Sequence, residues 1–242
     1  IIMSQVVVSF GWRHAIQSFT VVGLILAIAF FIFLRHRPHD NNPELAKHRK
    51  IPLKEMGAQL WVAVQKKRIW IAGVLSSLTY LPTSVFAALW GIPYLEKLHG
   101  YTANQAAIAT SMIFVGWAIG APIQGWISDH FQSRVRVIMY GTIGAFILSI
   151  VLLYSPNMPY SLLCFLFVLF GVCSSVQVLT FAMARDLCSA HIAGTAIAFV
   201  NMLAMAGGMI FQRGLGEILD FSWSGHMLHG ARVYALGDYE KA

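Results

Sequence analysis

From Val137 to Ala184 the chain runs 48 residues without one Asp, Glu, Lys or Arg. A soluble domain, about a quarter charged, has no use for such a run, and here only 11% of all residues are charged while 57% are hydrophobic. A helix crossing a bilayer needs about 20 mostly apolar residues. The run is therefore too long for one crossing, and Ser155-Pro-Asn-Met-Pro159 divides it, because two prolines in five residues cannot continue a helix. Two spans result, Val137–Tyr154 and Tyr160–Ala184.

The same reading gives four more spans. Ala15–Leu34 is uncharged and bounded by basic residues, and Ile69–Leu95 is long, with Pro82 and Pro93 predicting a kinked helix. Between His99 and Asp129 a polar start at Tyr101–Asn104 leads into apolar sequence from Ala106. The last span covers Leu187–Gln212, and the tail Arg213–Ala242 is too charged to cross. The fold class is all-α: a polytopic membrane protein of six helices.

Net charge is +7, yet nine of the 17 Lys and Arg lie between Arg35 and Arg68. Local basicity beside apolar spans suits the inner face of a membrane protein, whereas a nucleic-acid partner would be met by cations spread over a polar fold. Summed over alternate loops, one side holds 12 basic residues and the other 5. The Arg35–Arg68 loop and the turn after Asp129 are thus expected in the cytoplasm. Within the loop, Leu53–Gln65 reads either as a short amphipathic helix on the inner leaflet, with Met56, Leu60 and Val64 on one side, or as irregular linker.

Cys164, Cys173 and Cys188 are odd in number and show no Cys-x-x-Cys pair, so they read as small apolar side chains at helix contacts. His226 and His229 have no further ligand at metal-binding spacing. No glycine-rich phosphate loop is present, so neither a cofactor nor ATP-driven chemistry is indicated and an enzyme is the weaker class. Gly116-x-x-x-Gly120 and Ala121-x-x-x-Gly125 permit close helix approach.

Between the third and fourth spans stands Gly125-Trp-Ile-Ser-Asp129-His-Phe-Gln-Ser-Arg134-Val-Arg136. It resembles the cytoplasmic loop motif of the major facilitator superfamily, with His130, Gln132 and Ser133 departing from the common pattern. Gly125 is expected to allow close packing, and Asp129, Arg134 and Arg136 to form a polar latch holding one state of a rocking carrier. Phe10-Gly-Trp-Arg13 resembles the outer turn between the family's fifth and sixth helices, and Gly194–Asn201 with Gly207-Gly208 and Phe211-Gln212 resembles its eleventh.

The resemblance implies that residues 1–34 end an N-terminal bundle, 35–68 form the cytoplasmic linker and 69–242 build most of a C-terminal bundle. On that reading the chain is an internal piece covering helices six to eleven, truncated at both ends. Tyr239-Glu-Lys-Ala approaches a twelfth span, and the piece is not expected to transport alone. The implied function is a permease moving a small solute by alternating access, secondary active or facilitative, in a bacterial inner membrane. The alternative is a non-transporting membrane scaffold or degenerate fragment. The family's seventh and tenth helices line the path, which makes Ser76, Tyr80, Thr83, Ser174 and Gln177 candidates, with Asn201 on the eleventh. Gln177 serves equally well as a contact between helices. The central parts of the spans carry no Asp, Glu, Lys or Arg, so coupling to protons or another ion falls to helices outside this chain, or the solute is neutral and uncoupled. Glu217 and Asp220 read as interfacial.

Overall fold

The computed structural model describes residues 2–33, 52–155, 158–223, 227–228 and 231–232. The Leu34–Ile51 part of the basic loop, Pro156, Asn157, His226, His229 and residues 233–242 lie outside the described residues. Two compact units are present, residues 1–53 and 54–242.

The first unit holds α1, Ile2–Phe33, and within it Ile16–Phe33 is long and apolar enough to cross a bilayer. Helical geometry fails at Gly11, where φ is 80° and ψ is 160°, a conformation only glycine adopts cheaply. The break falls inside Phe10–Arg13, the segment expected to form a turn between two helices.

The second unit begins within the first turn of α2, Leu53–Gln65, so the segment is a helix and not irregular linker; of the side expected to be apolar, Met56 and Leu60 are exposed, whereas Val64 packs against the bundle core. A single extended residue, Lys66, separates α2 from α3, Lys67–Leu81. There follow the π-helical segment Pro82–Trp90 and α4, Gly91–His99. The kink expected at Pro82 takes this form because proline has no N–H to give the preceding turn. The wider ladder ends where the Gly91 N–H donates to the Phe86 carbonyl, and Pro93 is absorbed into the first turn of α4.

Helix α5, Ala103–His130, starts at a capping box in which the Thr102 hydroxyl accepts from the Gln105 N–H at 3.3 Å and the Gln105 side chain accepts from the Thr102 N–H at 3.1 Å. Next come α6, Arg134–Tyr154, and α7, Tyr160–Ser174, on either side of the two-proline break. A 3₁₀ turn, Ser175–Gln177, joins α7 to α8, Val178–Asp186. The long α9, Ala190–Ser222, runs ten residues beyond the predicted end at Gln212, because Arg213 pairs with Glu217 at 2.9 Å and Leu219 is buried. In the tail, β1 Met227–Leu228 pairs antiparallel with β2 Ala231–Arg232.

Six helical stretches among the described residues are long and apolar enough to span: 16–33, 67–99, 103–130, 134–154, 160–186 and 190–221. Their outward faces stay apolar, as Phe146, Ile147, Met209 and Ile210 illustrate, which suits lipid as solvent. The interior is held by close approach more than by bulk. A Cβ on Gly116 would overlap the carbonyl oxygen of Val168 on α7, and one on Gly171 would overlap that of Ile113 on α5. One core joins Leu95, Ile113, Leu163 and Phe167 of α4, α5 and α7, and a second joins Ala63, Ile69, Ala184 and Val200 of α2, α3, α8 and α9. Cys164 and Cys173 pack on the first core and Cys188 on the second.

Candidate functional site

The candidate residues of the second unit fall in two places: the interior between α3, the π-helical segment, α5 and α7, and the end of the bundle where α5, α6 and α8 meet.

In the interior, Ser76 on α3 and Gln177 in the 3₁₀ turn are both buried, and Gln177 Nε2 donates to Ser76 Oγ at 2.9 Å. The Gln177 carbonyl accepts the hydroxyl of Thr180 at 2.6 Å. Of the two roles open to Gln177 in the sequence, the structure therefore displays the interhelical contact. One turn along α3, Tyr80 is half-buried and meets Trp117 of α5 edge to face, with ring centroids 6.2 Å apart. Thr83 lies a further turn on, inside the π-helical segment, and Ser174 ends α7.

Thr83 Oγ1, Ser174 Oγ and Trp117 Nε1 are buried without a hydrogen-bond partner among the described residues. Such atoms are uncommon, and each calls for a partner or a ligand. Ser174 also lines a cavity of about 190 Å³ bounded by Thr79 and Pro82, by Thr142 and Ser149 of α6, and by Val176. The hydroxyls of Thr79, Thr142 and Ser149 are already spent on carbonyls of their own helices, three or four residues back. The unmet hydrogen-bonding capacity thus sits on the π-helical segment and α7, which belong to the two spans that the sequence reading favoured, and on α5, which it did not. Asn201 lies exposed on α9, apart from this group. Trp117 is the residue that sequence reasoning passed over; its signal was an indole amid the small residues Gly116 and Gly120.

At the other place, a tight turn follows α5 with Gln132 at φ 50°, and Gln132 Nε2 donates to the Asp129 carbonyl at 2.8 Å. Helix α6 then opens on Arg134, whose guanidinium reaches three ways. Its Nη1 donates to Asp129 Oδ1 at 3.2 Å and to Ser128 Oγ at 3.3 Å, while its Nε donates to Asp186 Oδ2 at the end of α8. Arg134 is the most buried of the three charged groups, and Asp129 is largely exposed. One guanidinium fork thereby ties three helix ends together. Arg136 donates to the Phe131 carbonyl at 3.3 Å and takes no part in the pairing.

Gly125 needs correcting as a packing residue. A Cβ there would meet nothing within 4 Å, and the close approaches fall earlier on the helix, at Gly120 and Gly116. The Gly-x-x-x-Gly pair faces α7, and four residues further on Gln124 still reaches it, donating to the Val172 carbonyl at 3.2 Å, whereas Gly125 points away from that contact.

Comparison with known proteins agrees with this architecture. Residues 1–224 match the family described as Major Facilitator Superfamily. The Membrane sensor protein UhpC of Escherichia coli (strain K12) is 26% identical over 93% of this chain and 55% of its own length. Its namesake in Salmonella typhimurium is likewise 26% identical, over 93% and 54%. The Hexuronate transporter of Bacillus subtilis (strain 168) is 22% identical over 55% of this chain and 31% of its own length. The chain thus spans about half the length of the two sensor proteins it matches. With six apolar helices, a loop motif closed by an Arg134–Asp129 pair and a family match over nearly its whole length, this chain is a multi-pass membrane protein belonging to the major facilitator superfamily.

Proposed function

We propose that this chain forms the larger part of one bundle of a permease that carries a small polar solute across the membrane by alternating access. The observation that carries the reading is the set of buried, unpartnered polar atoms on Thr83, Trp117 and Ser174. In an interior otherwise built from apolar side chains and paired hydroxyls, such atoms cost free energy unless a ligand or water meets them during the cycle. Tyr80 and the Ser76–Gln177 pair complete the polar wall, and Asn201, exposed on α9, stands outside it.

In this reading residues 1–34 belong to the other bundle, 35–68 to a linker and 69–242 to this one. The 12 to 5 distribution of Lys and Arg supports placing the basic loop and the Asp129–Arg136 turn on the cytoplasmic side of a bacterial inner membrane. The Asp129–Arg134–Asp186 bridge acts as the latch, holding α5, α6 and α8 together on that side in one state and parting in the other. The middle stretches of the described spans hold no Asp, Glu, Lys or Arg, which fits a neutral solute, or a charged solute and coupling ion handled by the partner bundle.

The names of two relatives, called membrane sensor proteins, favour a second reading in which the same path binds a solute and reports its presence. Uptake by the complete protein in proteoliposomes, screened over small polar solutes first selected by thermal shift, separates the two. A carrier gives saturable flux, and flux falls in Tyr80→Phe and Gln177→Leu more than in Trp90→Phe. Ligand-induced stabilisation with no flux selects the sensor.

A further inference from the structure

Thr83 behaves unlike the other buried threonines of the spans. Thr79, Thr110 and Thr180 each donate the hydroxyl to a carbonyl three or four residues back, at 2.8, 2.9 and 2.6 Å, the ordinary way for a helix to satisfy that group away from water. Thr83 is only 4% exposed, yet its hydroxyl makes no such bond among the described residues. The difference lies in the backbone. Thr83 is the second residue of the π-helical segment Pro82–Trp90, directly after the proline that has no N–H to give. Where the ladder passes from four residues to five the turn widens, and the carbonyls of Thr79 and Tyr80 are carried out of reach of the Thr83 hydroxyl.

A π turn is rare, and this one is gripped from outside. Gln212 of α9 donates its side-chain N–H to the Ser84 carbonyl at 2.6 Å, across 128 positions of sequence. One turn earlier on α9, Gly208 leaves room for Ser84, because a Cβ there would stand 3.3 Å from Ser84 Oγ. A Cβ on Gly207 would overlap Ser77 Oγ, and one on Gly73 would overlap the Leu203 side chain. Helix α9 is thus pressed against α3 over several turns, which fixes the level at which Gln212 presents its amide. A backbone carbonyl freed or turned outward in a membrane helix needs such a neighbour, and closing the turn to the four-residue ladder would draw the Ser84 carbonyl away from it.

We infer that Gln212 is a positioning residue: by holding the Ser84 carbonyl it keeps Pro82–Trp90 in the π register, and that register withholds from Thr83 the carbonyls that would otherwise take up its hydroxyl. The hydroxyl so kept open serves a solute with a hydrogen-bonding group. That use rests on the permease reading above, whereas the coupling of Gln212 to Thr83 does not.

The test needs no solute. Thermal midpoints of the whole chain in detergent are compared with and without Thr83→Val, which keeps the shape and removes the hydroxyl. In the otherwise unchanged chain this deletes an unmet buried group and should raise the midpoint by about 2–4 °C. With Gln212→Met, which keeps the reach of the side chain and removes the donor, the segment closes, Thr83 donates to its own helix, and Thr83→Val should lower the midpoint or leave it unmoved. Gln212→Asn, whose amide falls one methylene short, should act in the same way and serves where the Met variant does not fold. A residue that merely packs would change the midpoint without changing the sign of the Thr83→Val effect. A lowered midpoint for Thr83→Val in the otherwise unchanged chain overturns the open hydroxyl. A rise that persists with Gln212→Met or Gln212→Asn overturns the coupling. Absence of flux in proteoliposomes bears on the permease reading alone.

Discussion

Gln177 and Ser76, 101 positions apart in sequence, meet through a 2.9 Å hydrogen bond in the buried interior of the bundle. Removing either partner has unequal consequences. Ser76→Ala strands the Gln177 amide, at a cost of about 1–3 kcal/mol for a buried donor left unmet. Gln177→Leu substitutes an apolar group of similar size, and the Ser76 hydroxyl can turn back to its own helix. We expect Ser76→Ala to lower the midpoint of thermal unfolding in detergent more than Gln177→Leu does, with the double variant closer to Gln177→Leu than to the sum.

Arg134 pairs with two carboxylates, and Asp186 is the less exposed of them. Exposed pairs each contribute only about 0.2–1 kcal/mol. Asp129→Asn should therefore leave thermal stability nearly unchanged, while Asp186→Asn lowers it modestly and Arg134→Gln lowers it most, with added salt narrowing the differences. In the complete carrier Asp129→Asn should slow uptake at normal expression. Unchanged uptake would reduce the motif to a topology signal.

Glycines on α5 divide by position. Gly116→Ala forces a methyl into the α7 backbone and should cost about 1–3 kcal/mol through overpacking. Gly125→Ala meets open space, and it should be neutral or slightly stabilising, since alanine is the better helix former by about 1 kcal/mol. Comparing folded yield and thermal midpoint for the two variants checks both.

Much of the fold was legible because bilayer helices announce themselves by length and lack of charge. All six spans could be placed, and α2 was legible as one of two options. Helix ends were less so. Gln212 looked like a stop because charge follows it, but an i,i+4 ion pair and a buried Leu219 carry α9 onward to Ser222. The loop motif could be spotted from spacing, yet nothing local says that Arg134 reaches Asp186, 52 residues away and on another helix. In the same way periodicity put Met56, Leu60 and Val64 on one side of α2, but Val64 packs onto the core and Gln59 reaches His191 and Thr195, contacts that only the tertiary structure sets. Trp117 was missed because an indole in an apolar span reads as packing, and only its buried, unpartnered N–H marks it out.

The account depends above all on helices that cross alternately, with the α5–α6 turn and the α6–α7 turn on opposite sides of the membrane. Single cysteines at Gln132 and Ser155, in a chain whose native cysteines are replaced by serine, can be probed in intact cells with a membrane-impermeant maleimide. The account predicts labelling at 155 from outside and at 132 only after the cells are opened. Labelling of both from outside, or protection of both, would contradict the six-span arrangement.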